Sequence, residues 1–149
     1  MNQIPTEEDW IESPSGLIED LDVLHAHDIF IGKSNAEMLP EYKGHVLMLS
    51  EDLYWMPKKP FQYYIFGFRD YVINGDFGFY ERSDAASAFL ELILIKLKKQ
   101  PDYVLPVLPD LFKDIEYIAN HQALYEADED IYGNFKALWA EINEYSTDT

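Results

Sequence analysis

The sequence contains no cysteine, so disulfide frameworks, thiolate metal sites and cysteine nucleophiles are all excluded. Basic residues are scarce. Eleven Lys and Arg stand against 28 Asp and Glu, for a net charge of −17, which argues against nucleic acid or an anionic membrane as a direct partner. Long apolar runs are missing too. The densest, Leu92-Ile93-Leu94-Ile95, ends at Lys96, far short of the roughly 20 residues needed to cross a bilayer. Residues 1–32 hold no Lys or Arg and no apolar h-region, so no export signal is expected and the chain reads as soluble and cytoplasmic. There is no G-x-S-x-G, no Walker loop and no dinucleotide fingerprint. Gly75-Asp76-Phe77-Gly78 lacks the lysine and the following helix of a phosphate cradle. Neither an enzyme nor a cofactor is expected from these patterns.

What is present is enough to build a core. The 149 residues are 48% hydrophobic and 15% aromatic, the size of one domain, and no linker or repeat divides them. Helical periodicity dominates. From Gly16 to about Asp28, Leu17, Ile18, Leu21 and Leu24 form one stripe behind an expected Ser15 N-cap. A short helix is expected after Ser34, ending before Pro40. His45–Ser50 fits either a strand or a buried turn of helix, and Pro57 to Pro60 reads as a break.

Phe61–Tyr80 fits two patterns. As a helix, it aligns Phe61, Tyr64, Ile65, Phe68, Tyr71 and Val72, with Pro60 at the first position and Gly75 at the end. As a hairpin, it turns at Asn74-Gly75 between Tyr71-Val72-Ile73 and Phe77–Tyr80. The helix is preferred because Gln62 and Arg69 fit a two-sided strand poorly. Ser83–Lys99 is the clearest helix, capped by Ser83 and apolar nearly all round except for a stripe of Asp84, Ser87, Glu91 and Lys98. Two more are expected, from Pro109 to Asn120 and from about Glu129 to Tyr145, the latter aligning Ile131 with Phe135, Leu138, Trp139 and Ile142, before a frayed tail at 146–149. The expected fold is a mainly α, single-domain bundle over 1–149 with about five to seven helices; a short β-hairpin near 71–80 is the open alternative.

Charge is uneven along the chain. Residues 1–30 hold eight acids and no Lys or Arg, residues 31–100 balance, and residues 101–149 hold eleven acids against Lys113 and Lys136. One reading is a hydrated coat for solubility. The other folds both acidic ends onto one side as a docking face for a basic partner. Glu126, Asp128, Glu129 and Asp130 place four carboxylates within five residues, more than helix capping requires. They are the first candidates for partner binding. Glu7, Glu8, Asp9 and Trp10 come second, and Trp55, beside Met56-Pro57, is an expected exposed aromatic. No metal site is expected. On a helix, His25 and His27 lie about 200° apart, and His25 is expected to pack at the edge of the apolar stripe. Asp128–Gly133 opens like a calcium loop but has Tyr132 at its fifth position and Trp139 at its twelfth.

In size, charge and texture the chain resembles the small acidic immunity proteins that bacteria encode beside contact-dependent and other polymorphic toxins. The resemblance is carried by Trp55-Met56-Pro57 through Tyr64 and Phe68, by Ala85–Phe89, and by Asp130-Ile131-Tyr132-Gly133-Asn134-Phe135. It implies an inhibitor that neutralises a cognate toxin domain, often a basic nuclease, by covering its active site or another essential surface. The alternatives are a nucleic-acid mimic that inhibits a DNA-binding protein, a small enzyme or regulator, and a structural subunit whose charge serves solubility.

Overall fold

The computed structural model of the chain describes residues 3–78 and 80–147, apart from the side chain of Thr147. Among these residues every regular element is helical and no strand occurs. After a 3-10 turn at Glu7–Trp10 come α1 (Leu21–Phe30), α2 (Asn35–Met38), a second 3-10 turn (Leu39–Tyr42), α3 (Val46–Trp55), α4 (Lys58–Asn74) and α5 (Glu81–Lys99). The chain continues through α6 (Pro101–Val104), α7 (Leu108–Asn120), α8 (Glu129–Tyr132) and α9 (Phe135–Thr147). Six of these are long and three are single turns. No helix among the described residues is long and apolar enough to cross a membrane.

The core is built on α4 and α5. Phe61, Tyr64, Ile65, Phe68, Tyr71 and Val72, one stripe of α4, are all buried. They meet Ala85, Ala86, Phe89, Leu90, Ile93 and Leu97 of α5; the rings of Phe68 and Phe89 meet edge to face at 5.4 Å. α5 then packs against α3 on one side and α9 on the other. The Gly44 amide, just before α3, donates to the Glu81 carboxylate at the start of α5. At the other end, Lys99 donates to the Tyr54 hydroxyl at 3.0 Å. Tyr132, just before α9, reaches the first turn of α5, while Lys98 pairs with Glu141 of α9 at 3.5 Å. α3, α5 and α9 therefore run in the same direction, with α4 antiparallel behind them.

α2 docks where α4 has no side chain. The Asn35 amide nitrogen donates to the Tyr63 carbonyl at 3.0 Å, and a Cβ at Gly67 would lie 2.3 Å from Asn35 Oδ1. The Tyr64 hydroxyl holds the end of α1, shared between the carbonyls of Phe30 and Lys33 at 2.8 and 2.7 Å.

Several expectations are corrected by the coordinates. α1 starts at Leu21, not Gly16, because Asp20 is its cap and accepts from the Asp22 amide at 2.8 Å. Gly16 has φ +77° and lies in the turn before the helix, so Leu17 and Leu21 are exposed and the buried stripe is Val23, Ala26 and Phe30. The hairpin near 71–80 is absent. Residues 71–74 complete α4, and Gly75 has φ −71°, not the left-handed backbone that a type I′ turn requires. Phe79 lies outside the described residues.

His45–Ser50 is helix and not strand: His45 is the N-cap of α3, and Val46–Ser50 form its first turns with Val46, Leu49 and Ser50 buried. The Pro57–Pro60 break shrinks to Met56-Pro57, since α4 starts at Lys58. α5 begins two residues before Ser83, whose hydroxyl is buried and donates to the Tyr132 hydroxyl at 3.1 Å. The expected last helix is two, split by Gly133 at φ +76°; the split turns Ile131 outward, 73% exposed. Ser146 and Thr147 belong to α9, and residues 148–149 lie outside the description.

Candidate interaction surface

The acids of the N-terminal segment are largely occupied within the molecule. Thr6 and Asp9 form a reciprocal cap, with the Thr6 amide donating to Asp9 Oδ2 at 2.9 Å. That backbone hydrogen bond holds the Asp9 carboxyl below its ordinary pKa, aided by Lys59 at 3.5 Å. Glu7 meets His27 Nε2 at 2.8 Å, and Asp28 meets the other ring nitrogen at 2.8 Å. Burial opposes the charge on His27, but the two carboxylates outweigh it and raise its pKa. Trp10 is 0% exposed, edge to face with His27 at 5.6 Å and beside Tyr64. It is a core residue and is withdrawn as a docking residue. Glu8 is exposed, and its carboxylate forms no hydrogen bond or ion pair among the described residues.

The C-terminal group is arranged differently. Glu126, Asp128, Glu129 and Asp130 are all exposed, and none forms an ion pair with Lys, Arg or His among the described residues. Their bonds are local. Asp128 caps α8 by accepting from the Asp130 amide at 2.9 Å, and Glu129 accepts from the Asn134 amide group at 3.1 Å. Glu126 sits in left-handed backbone at φ +57°, a conformation that costs about 1 kcal/mol or more in a non-glycine residue. Beside the acids stand two exposed apolar side chains, Ile131 at 73% and Leu124 at 51%.

The segment is outward-facing yet well fastened. The Tyr125 hydroxyl donates to the Val72 carbonyl at 2.9 Å, and the Tyr132 hydroxyl to Asp84 at 2.8 Å. Gln122 ties its two ends, donating to the carbonyls of Ala127 and Gly133 and accepting from the Phe135 amide at 2.9 Å. The carboxylates are therefore presented on a pinned loop, with less ordering left to occur on binding.

The two acidic groups do not form one cluster. Asp9 is held at Lys59, in the first turn of α4, whereas Tyr125, next to Glu126, is held at Val72 near its end. Those anchor points are thirteen residues apart, about 20 Å along a helix axis. Trp55, at the end of α3 and 36% exposed, lies just before the start of α4, the helix end opposite the Tyr125 anchor at Val72.

A groove was not foreseen from the sequence. It has a volume of about 780 Å³ and runs along the open face of α5, between Leu47 and Tyr54 of α3 and Leu138 and Glu141 of α9. Its floor includes Ala88, Glu91, Leu92 and Ile95. The polar stripe noticed on α5 was its signal, although Ser87 of that stripe is buried instead.

The histidines do not converge. Among the described residues no three His, Asp or Glu side chains are placed to hold a metal ion. His25 is not packed at the edge of the core. Its side chain is 55% exposed, while its partner Asp52, at 2.7 Å, is 6% exposed. The hydrogen bond and charge of Asp52 raise the His25 pKa. His121 bonds the Tyr117 carbonyl at 2.7 Å and stacks on its ring.

Compared with protein-family models, with curated proteins and with solved structures, the chain has no match in any of the three.

Proposed function

We propose that the chain is a protein-binding inhibitor, acting as an immunity protein that neutralises a basic toxin domain, a nuclease foremost, in the cytoplasm. It acts by binding and not by catalysis, with no cofactor and no direct contact to nucleic acid or membrane. The observation that carries this reading is the 124–132 segment. Four exposed carboxylates without a cationic partner among the described residues lie between exposed Leu124 and Ile131 on a loop pinned from behind. Unpaired acids bordering apolar anchors are what a basic surface with an apolar centre would meet. Self-repulsion within the acidic segment would be relieved by such a partner, whose long-range attraction would speed association.

The test is charge reversal. Asp128→Lys with Asp130→Lys is expected to weaken binding to the cognate basic domain at least a hundredfold, in line with coupling energies of about 1.5–7 kcal/mol for close interfacial charge pairs. The melting temperature should stay within a few degrees of the parent, since both side chains are exposed. Unchanged affinity in titration calorimetry would remove this segment from the interface.

A further inference from the structure

We infer that the α3–α5–α9 groove receives an amphipathic helix of the basic partner, running in the same direction as α5. Its N-terminal turns would meet the α8 acids and its C-terminal end would meet Lys98 and Lys99. This rests on the partner-binding reading above and adds the shape and polarity of the element that binds.

The groove is one face of α5. Asp84, Ala88, Glu91, Ile95 and Lys98 follow one another at spacings of four, three, four and three, the repeat that keeps side chains on one side of a helix. The α5 residues that line the groove run from Ala88 to Lys99, about 16 Å and thus about three helical turns, and Asp84 carries the same face one turn further toward α8. Ala88, Leu92 and Ile95 give it an apolar floor, and the small side chain of Ala88 deepens it.

Its two ends differ in charge. At the start of α5, Tyr132 bonds Asp84 and so holds α8 about one helical turn ahead of Ala88, the first α5 residue that lines the groove, with Asp128, Glu129 and Asp130 preceding Tyr132 in the chain. At the far end Lys98 and Lys99 are both exposed, and Glu141 offsets one of them. Glu51 and Glu91 line the stretch between. A helix carries positive potential at its N-terminus and negative at its C-terminus, so only the orientation parallel to α5 matches both ends. Complementarity further asks for Lys or Arg in its first turns and along its flank, apolar anchors at i, i+4 and i+7, and acidic residues in its last turn. A second copy of the chain is the poorer occupant, because its own −17 would have to approach an acidic rim.

The probe is a synthetic stapled 15-residue helix with a Leu/Ala seam, three Lys in its first two turns and two Glu in its last turn, offered to the 15N-labelled full chain. A peptide of the reversed sequence is the control. The forward peptide is expected to bind at least tenfold more tightly. A nitroxide at its N-terminus should broaden the amides of 128–132, and one at its C-terminus those of 97–99. Lys98→Glu with Lys99→Glu, exposed changes that leave the core intact, should abolish the preference. Ala88→Trp should block binding of either peptide, provided its circular dichroism melt matches the parent. Equal binding of the two peptides, broadening with the ends exchanged, or no broadening along α5 would overturn the inference. So would a dimer in sedimentation that Ala88→Trp dissolves, since that would assign the groove to a second copy.

The cognate domain separates this inference from the reading beneath it. Binding lost on reversing Asp128 and Asp130 but untouched at Ala88, Lys98 and Lys99 would overturn the groove alone. Binding insensitive to all five positions would remove both.

Discussion

Lys96 lies in the last turn of α5, where a lysine would ordinarily point to water and favour the helix dipole. Instead it is 3% exposed. Its ammonium sits over the rings of Tyr54, Tyr103 and Phe61 at 4.7, 5.0 and 5.6 Å, and it donates to Gln100 Oε1 at 2.7 Å. No carboxylate forms an ion pair with it among the described residues. Burial pushes its pKa down to about 8 from an ordinary 10.5. The sign of the linkage follows: between those two values the unfolded chain binds more protons, so stability rises with pH. The penalty for folding around the charge is full below about pH 8. Lys96→Met keeps the contact with the rings and is expected to raise stability at pH 7 by up to about 3 kcal/mol, and to flatten the rise between pH 7 and pH 9.5. Urea melts at the two pH values check both effects. Trp10 shows the same limit on reading single residues. A tryptophan beside three acids in sequence suggests an exposed anchor, but burial depends on which helix lies over it, here α4 through Tyr64.

Elements were more legible than residues, because periodicity sums over many positions. The α4 stripe from Phe61 to Val72 and the α7 stripe of Leu111, Ile115 and Ile118 are buried as their spacing predicts. Boundaries were less so. Ser15 and Asp20 both satisfy the preference for a helix N-cap, and sequence alone does not rank two caps five residues apart. The structure decides for Asp20. Asp20→Ala is therefore expected to cost about 0.5–2 kcal/mol, while Ser15→Ala, affecting only turn contacts around Ser13 and Leu17, should cost much less. Thermal melts of the two variants separate these outcomes. The break in the last helix is hidden in the sequence for a similar reason. Its apolar positions keep step across Gly133, and only the positive φ of that glycine breaks the axis and turns Ile131 to solvent.

At the scale of the whole molecule, the acidic termini share a sign and little else. At the N-terminal end Asp9 caps a turn and pairs with Lys59, and Glu7 pairs with His27; Glu126, Asp128, Glu129 and Asp130 face solvent with no Lys, Arg or His partner among the described residues. Glu7→Gln is expected to lower the His27 pKa and to act on stability. Since Glu7 raises that pKa, its contribution is fully present below the ordinary histidine value of 6.5 and fades as pH rises through the elevated folded value. Melts at pH 5.5 and pH 8 should show the larger loss at pH 5.5, with affinity for a basic partner little changed. A comparable loss of affinity in Glu7→Gln and in the Asp128 and Asp130 reversal would contradict the division between the ends.

The amino-acid sequence by itself determined a helical, aromatic-cored chain with acidic ends, because composition and period act locally and add up along the chain. Tertiary structure alone decided which acids are occupied and which are presented. It also placed the two groups at opposite ends of α4 and left a groove between α3 and α9 over the polar stripe of α5. Those outcomes depend on which distant side chains meet, and separation along the chain carries no information about that.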